Sequence, residues 1–206
     1  AQAMLKQTID ERWLRAKAVI GLFPANQVNQ DDLEIYADEQ RTEVLAHLYM
    51  LRQQAEKREG TPNLCLADFV APKETSLPDH MGGFAVTAGI GIESKLAEFE
   101  AEHDDYSSIM LKALADRLAE AFAELMHKKV RKQYWAYDSE ENFSNADLVK
   151  ETYQGIRPAP GYPANPDHTE KRTLWELLEV EKHTGIQLTE SLAMYPIDDT
   201  FLLFCS

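Results

Sequence analysis

The sequence predicts an α+β domain with a largely antiparallel or mixed sheet, and three observations carry that reading. Apolar runs of strand length are interleaved with helical periodicities, but not in the repeating β-α-β order of a doubly wound sheet. The longest periodic segment is a single helix near the middle of the chain. With 206 residues, 44% of them hydrophobic, the chain can bury a core; one domain is expected, two lobes being the alternative.

Taken in order, residues 4–17 read as a helix with Leu5, Ile9, Trp13 and Ala16 near one face. Ala18 to Phe23 is a short apolar run, expected as a buried strand ended by Pro24. Asp32 to Tyr36 alternates enough for a second strand, Thr42 to Arg58 reads as helical, and Leu64 to Val70 and Phe84 to Ala88 read as further strands. From Ser108 to Tyr134, Leu111, Leu114, Leu118, Phe122 and Leu125 recur at three- and four-residue steps, the spacing of one buried helical stripe. Asp116, Glu120 and His127 fall opposite that stripe, on a face expected to be solvated. Asp167 with Glu170 resembles a capping arrangement for a helix running through Trp175 and Leu178 to a stop at Gly185, and Ile186 to Met194 reads as a last strand.

Charge and cysteine content exclude several classes of function. Twenty-one Lys and Arg against 35 Asp and Glu give a net charge of -14, which argues against nucleic acid or an anionic membrane as partner. No apolar run approaches the roughly 20 residues that span a bilayer, and no secretory signal is visible. Cys65 and Cys205 are too few for a disulfide framework, so a reducing cytoplasm is the expected compartment. The chain begins at Ala1, as a piece of a longer polypeptide would.

Several constellations read as structural. Gly89-Ile90-Gly91 lacks the third glycine of a dinucleotide fingerprint. Glu179 and His183, four apart, read as a surface ion pair, and His103-Asp104-Asp105 as one helix's end and the next one's cap, so no metal is expected. His127-Lys128-Lys129 with Arg131-Lys132 reads either as cations complementing a helix C-terminus or as a dock for an acidic partner. No nucleophile motif or general-base pair is visible.

The most informative stretch is Arg157-Pro158-Ala159-Pro160-Gly161-Tyr162-Pro163, just before the helix that Asp167 opens. Its prolines withhold N–H donors and keep the intervening carbonyls out of any helix ladder, leaving them for a ligand. Gly161 permits close approach to the backbone, Arg157 offers a planar fork suited to carboxylate or phosphate, and Tyr162 adds a ring with a hydroxyl tip. The stretch reads either as a small-molecule clamp or as a proline-rich connection before a helix.

Arg157 to Tyr162, with His168-Thr169-Glu170-Lys171 and Trp175-Glu176-Leu177-Leu178, resembles the S-adenosylmethionine-binding activation domain of cobalamin-dependent methionine synthases. Supporting stretches include Gly21 to Asn26, Asp32 to Tyr36, Cys65 to Lys73, Phe84 to Thr87, His103 to Tyr106, Ala113 to Glu124 and Glu190 to Met194, so the resemblance spans roughly residues 20–196. It implies a C-shaped single domain over residues 1–206, with a bent, largely antiparallel sheet flanked by helices. The implied parent is a methyltransferase that moves a methyl group from methyltetrahydrofolate to homocysteine through cobalamin. This domain would bind S-adenosylmethionine and support reductive methylation of oxidised cobalamin, without being competent for methionine synthesis alone. Its implied partners are the cobalamin-binding domain of the same polypeptide and flavodoxin or a similar reductant.

The resemblance also implies a ligand set. Arg157 would hold the methionine carboxylate, Ala159 and Gly161 would contribute backbone contacts, and Tyr162 would border the ligand. Glu120 and Glu151 would face its ammonium or sulfonium charge, and His168 the corrin. The alternative reading is a module that docks flavodoxin and the cobalamin domain but no longer holds S-adenosylmethionine.

Two departures stand out. One acidic family contact lies upstream of Ala1 and another contact beyond Pro196, so the chain reads as truncated at both ends, with Ile197 to Ser206 unlike the family's continuation. The apolar Phe201-Leu202-Leu203-Phe204 is therefore expected to have lost its packing surface, and the strand at Ile186 to Met194 to have an unpaired edge. Asn165 stands where some members carry cysteine.

Overall fold

The computed structural model describes residues 1–195 and 199–205. Seven strands and six α-helices are described: α1 (Gln2–Asp10), β1 (Arg15–Val28), β2 (Asp32–Tyr36), β3 (Val44–Tyr49), β4 (Asp79–Ile90), α2 (Ile92–Ala101), α3 (Asp105–Lys129), α4 (Asn145–Val149), α5 (Lys171–Leu177), α6 (Val180–Thr184), β5 (Gln187–Leu188), β6 (Met194–Tyr195) and β7 (Asp199–Phe204). Five strands hydrogen-bond in the order β3-β2-β1-β4-β7, and β5 with β6 forms a separate two-stranded sheet. The β1–β2, β2–β3 and β5–β6 pairs are antiparallel, so the α+β reading holds. No helix among the described residues is long and apolar enough to cross a membrane.

The chain forms two compact units. The first comprises Ala1–Val19, Ala85–Met126 and Glu179–Thr200; the second comprises Ile20–Phe84, His127–Leu178 and Phe201–Ser206. In the first, Ile92, Phe99, Leu111 and Ala115 make a buried cluster flanked by Met4, Trp13, Leu14 and Leu96. Trp13 meets Phe99 edge-on at 6.1 Å, and the Lys95 ammonium sits 4.5 Å over the Trp13 ring, where the π-face attracts it. His103 takes a positive φ and the Asp104 carboxylate accepts from Ser107 N at 2.9 Å, as a helix end followed by a cap requires.

In the second unit the core is built around Leu33, Ile35, Tyr36, Leu48, Phe84 and Phe204, all essentially inaccessible to solvent. Phe204 packs against Gly82: a methyl group there would meet its ring at 2.2 Å, so only glycine allows the strand to take this cover. The expectation of a stranded apolar tail is therefore wrong, because β7 pairs beside β4 and buries Leu203, Phe204 and Cys205. Pro196, Ile197 and Asp198 lie outside the described residues.

Other elements differ from the sequence reading for local reasons. Helix α1 ends at Asp10, and β1 runs on past Phe23 to Val28. Pro24 does not end β1 because the pairing with β2 begins one residue later, with Ala25 opposite Ile35. Thr42 to Arg58 is not helical: Val44–Tyr49 pairs with β2, with Leu48 and Met50 buried and Leu45, His47 and Tyr49 exposed. That two-residue alternation competes with helical spacing in the same letters, and the waiting edge of β2 decides between them. Leu64 to Val70 contains a tight turn, Leu66–Phe69, because the Asp68 carboxylate reaches back to accept from Cys65 N at 2.9 Å. Ile186 to Met194 forms the β5–β6 hairpin instead of one strand.

The α3 stripe is also shifted. Its buried line is Leu111, Ala115, Ala119, Ala123 and Met126; Leu125 is exposed and Leu114, Leu118 and Phe122 are half-buried. Small alanines admit close backbone approach, which leucines on the flanks then border. Glu179 has a left-handed conformation that separates α5 from α6, while Gly185 closes α6 as expected. Glu179 and His183 form the surface ion pair at 3.4 Å.

Candidate functional site

The proline-rich stretch lies in the second unit, held at both ends by backbone hydrogen bonds. Ser144 caps α4, accepting from Asp147 N at 3.3 Å while Asp147 accepts from Ser144 N at 2.9 Å. The chain then turns through Glu151, an exposed residue with φ near 52°, a conformation disfavoured for a side chain with a Cβ. Ile156 exchanges two hydrogen bonds with Cys205, each 3.3 Å, and Pro158 O accepts from Leu203 N at 3.1 Å. Leu66 N bonds to Ala164 O at 2.8 Å at the other end.

Between these anchors the loop closes on itself. Tyr162 N donates to Ala159 O at 3.1 Å, Gly161 N to Asn165 O at 2.8 Å, and Asn165 N to Tyr162 O at 2.9 Å. The expectation that the carbonyls between the prolines stay unpaired is thus corrected: those of Pro158, Ala159 and Tyr162 accept bonds that shape the turn. The expected close approach at Gly161 is present, and the approaching group is His168. A Cβ at Gly161 would lie 2.3 Å from His168 Cε1, and its φ of 98° is a glycine conformation. Asp167 does not cap the helix; its carboxylate accepts from Thr169 N at 2.8 Å, and α5 starts at Lys171.

Arg157 and Glu151 are brought together, Nη2 to Oε1 at 3.8 Å, with the Arg157 side chain 19% exposed. Tyr162 is 64% exposed and His168 is also at the surface. Glu120 belongs to the first unit, where it is exposed and accepts from Arg117 at 2.6 Å. Glu170 and Lys171 of the motif are buried, and burial raises the Glu170 carboxyl and lowers the Lys171 amine from their ordinary values. Asn165 is fully buried, with both amide atoms lacking a hydrogen-bond partner among the described residues. A thiol at this place would be desolvated at lower cost.

Behind Arg157 lies a polar network that the sequence reading did not foresee. Arg157 Nε donates to Tyr153 OH at 2.8 Å. The Tyr153 ring is covered by the Arg131 guanidinium at 4.1 Å and met edge-on by His127 at 4.8 Å. Arg131, wholly buried, donates to both Glu141 oxygens at 2.5 and 3.0 Å and to His127 Nδ1 at 2.7 Å. Because Nδ1 accepts, the neutral imidazole carries its proton on Nε2. The reading of His127 as solvated is therefore wrong, while His127, Lys128 and Lys129 do stand in the last turn of α3, where the helix-end reading of the basic cluster put them. His127 and Arg131 extend the buried four-residue ridge of Leu111, Ala115, Ala119 and Ala123, a signal present in the letters. The last turn widens here, with Trp135 N bonding to Val130 O at 3.0 Å.

Burial, followed by the positive charges of Arg131 and Arg157, drives the His127 pKa down to about 2. The folded imidazole stays neutral while an unfolded one, near its ordinary 6.5, takes a proton. The stability that depends on neutral His127 is full above the unfolded value and is lost as pH falls below it. Urea unfolding is expected to give about 1.4 kcal/mol less stability at pH 5.5 than at pH 7.5 from this group. His127→Gln should flatten that slope, and an equally steep slope in the variant would assign it to other groups.

Against known proteins, the chain matches the family described as vitamin B12 dependent methionine synthase, activation domain, over residues 1–200. It is 57% identical to a solved structure described as the MetH reactivation domain bound to AdoHcy, with a TM-score of 0.93. The match covers 100% of this chain and 62% of that one, so the chain spans less than two thirds of its relative's length.

Proposed function

We propose a function from one premise: the chain belongs to the vitamin B12 dependent methionine synthase activation domain family. The chain binds S-adenosylmethionine at the Arg157–Tyr162 loop and, within a longer methionine synthase, supports methylation of the reduced cobalt of cobalamin. The observation that carries the reading is the Arg157–Glu151 pair, with Arg157 on a loop fixed at both ends, since a cation beside an anion matches the carboxylate and ammonium of an amino-acid ligand. When bound, S-adenosylmethionine supplies an activated methyl group on a sulfonium.

The residues of this chain bind and orient. Arg157 takes the ligand carboxylate and Glu151 its ammonium. Ala159 and Gly161 present backbone, and Tyr162 borders the ligand with its exposed ring. His168, placed against Gly161, faces the corrin carried by the cobalamin-binding domain of the same polypeptide. A one-electron donor of the flavodoxin type docks through cations. Of the basic cluster, His127 and Arg131 are buried and Lys132 is tied to Glu141 O at 2.6 Å, so Lys128 and Lys129 carry that part. The cytoplasm fits this role, and both cysteines are free thiols.

Calorimetric titration with S-adenosylhomocysteine tests the reading. Saturable one-to-one binding is expected, and no saturation up to about 1 mM, an affinity weaker than roughly 4 kcal/mol, would leave a docking module in its place.

A further inference from the structure

We propose that Tyr153 is a positioning residue that holds Arg157 in the orientation needed to receive the ligand carboxylate, an inference that rests on the functional reading above. Tyr153 is 7% exposed, too deep to serve as a surface contact, yet its hydroxyl accepts from Arg157 Nε at 2.8 Å. A guanidinium is planar and rigid, so a hydrogen bond at Nε restrains the direction of the whole fork. The edge a carboxylate takes end-on is the Nη1–Nη2 pair, which this arrangement directs as a unit.

The choice of a phenol matters. A buried carboxylate behind Arg157 would also orient it, but would neutralise the charge that the ligand must meet. The Tyr153 hydroxyl is neutral, so its own hydrogen bond sets no opposing charge beside the guanidinium. Glu151, at 3.8 Å and exposed, is too distant for a normal hydrogen bond and does not fix the plane.

Tyr153 is itself held on both sides. The Arg131 guanidinium covers one side of the ring at 4.1 Å, and His127 meets it edge-on at an interplanar angle of 83°. Arg131 cannot swing away, because Glu141 grips it through two bonds and His127 Nδ1 through a third. Every member of this backing, His127, Arg131, Glu141 and Tyr153, is buried, so the support is built into the core. Its effect is to order a long, rotamer-rich side chain before the ligand arrives, so that the cost of ordering does not fall on binding.

Tyr153→Phe removes the accepting oxygen and keeps the ring between Arg131 and His127. Two ligands separate positioning from general damage: S-adenosylhomocysteine carries the carboxylate, and 5′-methylthioadenosine keeps the nucleoside and thioether without it. In the wild type, Tyr153→Phe, Arg157→Ala and the double variant, calorimetry should give a loss of about 5- to 20-fold for S-adenosylhomocysteine on Tyr153→Phe. The 5′-methylthioadenosine affinity should stay within about two-fold. In the Arg157→Ala background, Tyr153→Phe should cost nothing further. Equal losses for both ligands, or the same loss with and without Arg157, would overturn the proposal in favour of a structural role. Equal S-adenosylhomocysteine affinities of wild type and Tyr153→Phe would overturn it alone, while a wild type that binds neither ligand would overturn the functional reading with it. If Tyr153→Phe does not fold, nitrogen-15 spectra of the ligand-free wild type decide: a slowly exchanging Arg157 Nε–H is expected, and rapid exchange at pH 7 would overturn the proposal.

Discussion

Arg157→Ala is expected, on the proposed function, to lower the affinity for S-adenosylhomocysteine by about 100-fold or more, as removal of a charged fork from a ligand carboxylate would. On the proposed function the substitution deletes both donors to the ligand carboxylate and leaves Glu151 without the cation at 3.8 Å, so a negative charge would stand near another. Arg157→Lys restores the charge but not the planar two-donor geometry, and is expected to recover about one tenth to one half of the lost affinity on a logarithmic scale. Calorimetry on the three proteins measures this. Equal affinities for wild type and Arg157→Ala would remove Arg157 from the site, whatever else binds there.

Glu141→Ala is the substitution with the largest expected effect on stability. Arg131 and Glu141 are both fully desolvated at their side chains, and the pair is held by bonds of 2.5 and 3.0 Å. Removing the carboxylate leaves a buried guanidinium whose remaining described partners, the His127 ring nitrogen and the Tyr153 π-face, carry no negative charge. The expected loss is about 3–5 kcal/mol in urea unfolding at pH 7.5. The pair need not be better than apolar packing for this to hold: Arg131→Met with Glu141→Leu should recover most of the loss, because neither charge is then stranded. A loss under about 1 kcal/mol for Glu141→Ala would mean that water reaches Arg131 and that the pair is not a buried one.

The letters that disclosed the fold were those with a single local interpretation. Asp32 to Tyr36 alternates cleanly and is β2; Gly185 follows a helical run and closes α6 with a φ of 86°. Val44 to Tyr49 fits both periods, and no property of that segment alone reveals that β2 offers it an edge. The site divides the same way. The close approach at Gly161 followed from its position between prolines, because a missing Cβ is a statement about space. The Pro158 carbonyl was misread because its partner, Leu203 N, comes from a distant strand. The backing of Arg157 was hidden for a further reason: a buried arginine and a buried histidine look like helix-end charges until Glu141 and Tyr153 are seen beside them. Only the continuation of the four-residue ridge from Leu111 through Ala123 into His127 and Arg131 hinted at it.

Phe204 resting on Gly82 has a consequence for how the protein is made. A ribosome delivers Gly82 long before Phe204, and at about 5–20 residues per second the interval is on the order of ten seconds. During that time Phe84, His127 and Trp135, the aromatic groups that later surround Phe204, have been synthesised without their common neighbour. The nascent second unit therefore waits with an uncovered apolar strand and cannot complete its core from what has already emerged. Closure of that core is a late, long-range event that awaits the last strand of the second unit.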